Sequence, residues 1–305
     1  MKQAQLPRFY GPKLARRPDE RFDFWGSLAF LSVHVAALAI FFTGVSWVAV
    51  GTALFLYAIR MWAITAGFHR YFSHRSFQTS RWMQFLIGFL ATSSGQKGPL
   101  WWAAHHRHHH RYSDTDEDIH SPVRRGFWWS HCGWIVCDRY VATQSDLIED
   151  FTKYPELRFL DKHFIVPPFI LGTLTFLWGL VLNTYFPSLG TSAPQMLVVG
   201  FFVSTVVLYH ATFSINSLAH LIGSRRFDTK DDSRNNFWLA LITFGEGWHN
   251  NHHRYPQSER QGFFWWELDI SHLSLKILSW IGLVWNLKTP PAFLLEESKS
   301  SPPAI

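Results

Sequence analysis

Charge is missing from two long stretches of the chain. No Asp, Glu, Lys or Arg occurs between Asp23 and Arg60, nor between Lys162 and Arg225. A helix crossing about 30 Å of hydrocarbon needs roughly 20 residues at about 1.5 Å each. The first stretch, continued past Arg60 to about Ala66, holds two crossings, and the second holds two more. Spans are expected near 24–44, 46–66, 164–186 and 195–215. Thr43-Gly44-Val45-Ser46 joins the first pair, and the uncharged run 187–194 joins the second. Arg60, near the end of its span, must snorkel or face protein. Trp82–Ala91 and Leu273–Leu287 are too short or too amphipathic to span, and read as helices in the interface or packed on the water-facing part.

Composition sharpens this picture. With 48% hydrophobic residues the chain offsets its ordering entropy, which excludes disorder as the general state. The two cysteines, Cys132 and Cys137, exclude a disulfide scaffold and a thiolate zinc site. Sixteen tryptophans suit membrane interfaces. A mean hydropathy of −0.02 is low for a pure membrane bundle, so a sizeable part must face water. The net charge of +6 raises the question of nucleic acid, but the position of the charges answers it. None of the 28 lysines and arginines lies in the two connections, and all but Arg60 fall in the N-terminal segment, in 67–162 or after 224. The positive-inside rule puts those three segments in the cytoplasm. The expected fold is therefore all-α: four transmembrane helices as two hairpins entering from one side, under a cytoplasmic helical cap. A basic segment, 1–23, precedes a membrane domain, 24–295, and a disordered tail, 296–305. No signal peptide is evident. A bacterial inner membrane or the endoplasmic reticulum is the expected location, with both termini cytoplasmic.

Seventeen histidines are far more than such a composition calls for. Three dense groups stand out: His69 and His74; His105, His106, His108, His109 and His110; and His249, His252 and His253. All fall in segments assigned to the cytoplasm. His249, His252 and His253 stand at i, i+3 and i+4, so their imidazoles share one helix face. In the second group both 106/109/110 and 105/108/109 satisfy that spacing, and spacing alone does not choose. Asn216 and His220, at i and i+4, add a sparser fourth element. Neutral imidazole binds Fe, Zn, Cu and Ni. Eight or nine converging histidines exceed the four ligands of one tetrahedral zinc, so two ions are the economical reading. Glu246, three residues before His249, suits a hydrogen-bonding partner of an imidazole. His34, His163, His210 and His272 stand apart and read as hydrogen-bonded or surface residues.

HRYFSH (69–74), HRHHH (106–110) and HNNHH (249–253), with the flanks GFHRYFSHRSFQ, RYSDTDEDIHSP, GFWWSHCGW, NSLAHLIG and GEGWHNNHH, are similar to one family. The sequence resembles the integral-membrane fatty acyl desaturases of the stearoyl-CoA and Δ9 acyl-lipid type over about residues 25–285. The resemblance implies two irons held by His69, His74, His106, His109, His110, His220, His249, His252 and His253, with Asn216 acting through water. It selects His106 over His105 in the second box. It implies O2 as co-substrate and a cis double bond, Δ9 in such proteins, placed in a saturated acyl chain. Animal acyl-CoA members carry an Arg-Asp pair where this chain has Ala104 and His105, so CoA and lipid both stand as carriers.

Further expectations concern the surroundings of the site. No Rossmann fingerprint or haem domain is visible, so electrons must come from a separate donor of ferredoxin or cytochrome b5 type. The acyl tunnel is expected between the spans near 46–66 and 195–215 and the cap. Arg70, Arg75, Lys97, Arg124 and Arg125 are candidates for contact with anionic headgroups. A membrane di-iron hydroxylase and a metal transporter are the competing readings, and a bis-histidine haem protein is a weaker one.

Overall fold

A computed structural model describes residues 13–300; the remaining residues, with Lys2, Arg8 and the end of the expected tail, lie outside it. In chain order the principal helices are α1 (Phe24–Thr43), α2 (Trp47–Ser73), α3 (Arg81–Thr92), α4 (Pro99–Tyr112), α5 (Val166–Tyr185), α6 (Ala193–His220), α7 (His249–Arg254), α8 (Ile270–Trp280) and α9 (Ala292–Ser300). Of these, α1, α2, α5 and α6 are long and apolar enough to cross a membrane. The strands named among the described residues are two short ones, β1 (Gln78–Thr79) and β2 (Val284–Trp285), paired antiparallel.

Local chemistry sets where the spans begin. Asp23 accepts a bond from the Gly26 N–H at 2.9 Å at the start of α1, and Ser46 accepts from Ala49 N–H at 3.2 Å at the start of α2. Each satisfies a donor that the first helical turn leaves free. Two spans outrun the expected ends at 66 and 215: α2 continues to Ser73 and α6 to His220. Hydropathy marks where lipid stops, not where a helix stops. Residues 63–73 are all buried in protein, so His69 and Arg70 extend the helix without meeting lipid. The last eleven residues of α2, Ala63–Ser73, and a segment of α6, Met196–Val203, are wound as π-helix.

The spans pack through small and hydroxyl residues. A Cβ on Gly179 of α5 would lie 2.6 Å from the Ala193 Cα, so α5 and α6 touch backbone to backbone there. Arg60 faces protein, not lipid. It donates to Leu56 O, Thr205 Oγ1 and Ser204 Oγ at 2.9, 2.6 and 2.7 Å. The turns at one end of the spans are tied together: Ser46 Oγ meets Thr191 Oγ1 at 2.8 Å, and Gln195 Nε2 donates to Thr43 O at 3.0 Å. Phe41, Phe42 and Trp47 at that end are more than 80% exposed, which suits side chains in contact with lipid.

Several of the remaining helices share a core with α2. Phe68, Phe72, Ile87, Leu157 and Leu160 are buried together there. Of the two amphipathic stretches, the first is α3. The second is helical only to Trp280 and then turns at Gly282 (φ 73°) into β2. Residues 296–300, expected in a disordered tail, continue α9, because Leu294 is buried against Phe227 and Phe263 and anchors that helix.

Candidate metal centre

The three boxes reach one place by different local routes. Residues five apart in an α-helix point about 140° away from each other. The π-helical end of α2 removes that mismatch: His74 N–H bonds back to His69 O at 3.3 Å, an i to i+5 step, and the two rings lie 4.9 Å apart. On α4, His106 and His110 face one centre and His109 a second. His105 points elsewhere, its Nδ1 bonded to Trp101 O at 2.8 Å, and His108 packs on Tyr112. The short α7 presents His249, His252 and His253, and His220 closes α6.

Nine imidazoles gather into two groups. His69, His74, His106, His110 and His252 form one; His109, His220, His249 and His253 form the other. Within the first, Nε2 atoms follow one another at 3.0 Å (His69–His252) and then at 2.9 Å (His252–His110, His110–His106 and His106–His74). A neutral imidazole nitrogen carries either one proton or one lone pair. Five such atoms cannot satisfy one another, whereas a cation accepts all five lone pairs. Two nitrogens about 2.1 Å from a shared centre stand about 3.0 Å apart at right angles, but about 3.4 Å apart in a tetrahedron. The observed spacing fits an ion with more than four ligands. Burial, reinforced by the neighbouring imidazoles, holds His74, His106, His110, His249 and His252 well below the usual histidine range. They are neutral at pH 7, the form that binds metal.

Carboxylates stand behind four of these rings. His69 Nδ1 contacts Glu246, His109 Nδ1 meets Asp118 Oδ1 at 3.1 Å, His220 Nδ1 meets Asp114 Oδ2 at 2.9 Å, and His253 Nδ1 meets Asp231 Oδ2 at 2.7 Å. Such partners fix the tautomer and aim the other nitrogen. Burial by itself would raise the Asp118 and Asp231 carboxyls, but the facing imidazoles win and hold both below the ordinary range. Glu246 meets the expectation of an imidazole partner. Asp114, Asp118 and Asp231 were not singled out in the sequence, although Asp114 and Asp118 lie in the string RYSDTDEDIHSP.

An apolar cavity leads to the histidines. Phe30, Trp101, Trp102, His106, Tyr209, Thr212, Phe213 and Asn216 are among its walls. A smaller cavity against both histidine groups shares Trp102, His106, Thr212 and Asn216 with it. Asn216 thus stands where the two meet. The wall differs from expectation: α1 supplies Phe30 beside α6, while α2 contributes Met61, Ile64 and Thr65 only to the smaller cavity.

The candidate headgroup contacts need correction. Arg70 is fully buried, bonded to Glu246 and Asp269, and the Arg125 side chain is buried against Glu20. Arg124 pairs with Asp116 at 2.5 Å. Arg75, more than half exposed, pairs with Asp150 at 3.3 Å, and Lys97 lies over the Phe164 ring at 4.7 Å. Of the histidines set apart, His34 meets His210 at 3.3 Å and His210 meets His131 at 3.0 Å. His272 bonds Glu259 at 2.7 Å, and His163 lies exposed beside Phe159.

Comparison with known proteins follows this geometry. The model of the fatty acid desaturase family matches residues 45–276. The chain is 39% identical over 280 residues to the sn-1 stearoyl-lipid 9-desaturase of Anabaena variabilis, covering 90% of this chain and 97% of that protein. It is 38% identical over 293 residues to the protein of the same name from Synechocystis, covering 94% and 85%. An acyl-CoA 5-desaturase of Anemone leveillei is 35% identical over 262 residues, covering 85% and 77%. The matched residues run through all three histidine boxes and His220, and on that ground the chain belongs to the fatty acid desaturase family and is an oxidoreductase.

Proposed function

We propose that this protein is an O2-dependent desaturase that places a cis double bond, at Δ9, in a saturated acyl chain carried on a membrane lipid. Two irons would be held by His69, His74, His106, His110 and His252, and by His109, His220, His249 and His253, with Asn216 acting through water. The observation that carries this reading is the convergence of nine imidazoles on two points beside a cavity walled by apolar and aromatic side chains. Bound there, the irons supply, with O2, the oxidising power that hydrogen removal from an unactivated methylene demands.

The chain's own residues hold and shield the substrate. Each CH2 buried in the cavity contributes about 0.8 kcal/mol, so chain length is read as energy. Gln96 Nε2 donates to Thr212 Oγ1 at 3.2 Å and braces the wall beside Asn216. Trp102 stacks on His106 at 5.1 Å and keeps water from that imidazole. The lipid carrier is supported by the names of the two cyanobacterial relatives. It is also supported at the CoA-contact position, where Ala104 is apolar and His105 is turned inward. The arrangement as two hairpins under a cytoplasmic cap is supported by the bonded turns at one end of the spans and by His69 and His220 at the other. Electrons come from an external ferredoxin or cytochrome b5, drawn to the basic cytoplasmic segments.

The test is expression in a host of known fatty-acid profile, with double bonds mapped by mass spectrometry. A new Δ9 alkene on lipid is expected, and His106→Ala or His253→Ala should abolish it while the protein stays in the membrane. A hydroxy acid in its place would identify a hydroxylase. Unchanged lipids with metal flux into liposomes would identify a transporter.

A further inference from the structure

The nine imidazoles are not backed alike. In the four-histidine group Asp118, Asp114 and Asp231 stand behind His109, His220 and His253. In the five-histidine group, among the described residues, only His69 has a carboxylate, Glu246. That carboxylate also accepts two bonds from the buried Arg70 guanidinium, at 3.2 and 3.1 Å. One imidazole in each group, His249 in the four-histidine group and His252 in the five-histidine group, has a buried Nδ1 with no partner, so the groups differ in their carboxylates and not in that. One position therefore has three buried carboxylates directly behind its imidazoles, and the other has one, which shares the Arg70 guanidinium with Asp269. Its extra imidazole adds a ligand but no charge.

The three aspartates are held in place before any ion arrives. Asp114 accepts from Ser121 Oγ at 2.5 Å and from Asp232 N–H at 2.9 Å, and its own N–H donates to Asp118 Oδ2 at 2.8 Å. Asp231 accepts from Ser233 N–H at 3.1 Å. A partner behind a ligating histidine is worth about 10–100-fold in metal affinity. Buried charges act on a cation with little screening by salt.

We propose that the two metal positions are unequal: the four-histidine position, backed by Asp114, Asp118 and Asp231, takes a divalent cation first and more tightly, and the five-histidine position fills second. This rests on the two-metal reading above. The three aspartates act through the histidines, as positioning residues.

Cobalt(II) titrated into the metal-free, full-length protein in detergent tests it, read by ligand-field absorption and by metal count. Two steps are expected, at least about tenfold apart in Kd. Asp231→Asn should weaken the first step by about 10–100-fold and leave the second in place, and Glu246→Gln should do the reverse. Two indistinguishable steps in the unmutated protein, or Glu246→Gln acting on the first, would overturn the proposal. A protein that binds no cobalt, or one ion at saturation, would overturn the two-metal reading itself. A second measurement needs no variant. One equivalent of 57Fe should give a single Mössbauer doublet, with another appearing only at two equivalents; both doublets together at one equivalent would overturn the order of filling.

Discussion

The first and fourth spans have the same mean hydropathy, 1.9, over their membrane windows, yet 6% of that window is buried in α1 and 61% in α6. Hydropathy records the cost of entering the bilayer. It says nothing about which helix other helices surround. What separates the two is the placing of small and hydroxyl residues. In α6, Gly200, Ser204, Thr205, Ser214 and Ser217 let neighbours approach or bond to them. In α1, Ser27 is the single buried residue of Phe24–Ala37, and Phe41 and Phe42 face outward. Of these two spans it is α6 that carries Ser204 and Thr205, which bond Arg60, and Thr212, Asn216 and His220 beside or within the histidine groups.

The contrast breaks most sharply at the end of α6. His220→Ala should cut desaturation by more than about 100-fold and release one of two ions, checked by product analysis and metal count; Phe42→Ala on α1 should change neither. Next comes Arg60→Leu, which strips Ser204 and Thr205 of a charged donor. It should cost about 2–3 kcal/mol, seen as a lower melting temperature in detergent, and an unchanged melt would mean that the pairing contributes nothing. Gly200→Leu should cost about 1–3 kcal/mol, because a Cβ there would already sit 3.1 Å from Thr52 Cγ2. Val35→Ala, on the outward face of α1, should stay within about 0.5 kcal/mol and calibrate the series. The smallest separable effect is Tyr209→Phe, which removes a 3.1 Å bond to Gly95 O and should cost about 1 kcal/mol.

The spans were legible because absence of charge is a long, one-dimensional signal. The third histidine box was legible because i, i+3, i+4 spacing maps onto one helix face, while in the second that spacing left two registers open and the first, at i and i+5, needs the π-helical winding that spacing does not announce. Other features depend on distant residues. Asp114 finds His220 more than a hundred positions away, and Asp231 reaches His253 22 positions on, past an intervening helix, so no local spacing announces either. Arg70 looks like a surface charge in sequence, yet Glu246 and Asp269 bury it by arriving from the far end of the chain. The helix through Ser300 was masked by its Ser-rich composition, and only the docking of Leu294 gives it a reason to form.

The wide turn at Ala63–Ser73 constrains how this protein adapts to bilayers of different thickness. Residues can be added to α2 ahead of Ala63 as long as the helix as a whole may slide or tilt. One residue gained or lost between Ala63 and His69 would turn that imidazole about the helix axis, out of reach of its partners. Length changes that match a thicker or thinner membrane are therefore confined to the end of the span remote from the histidines, and the segment from Ala63 to His74 must keep its residue count.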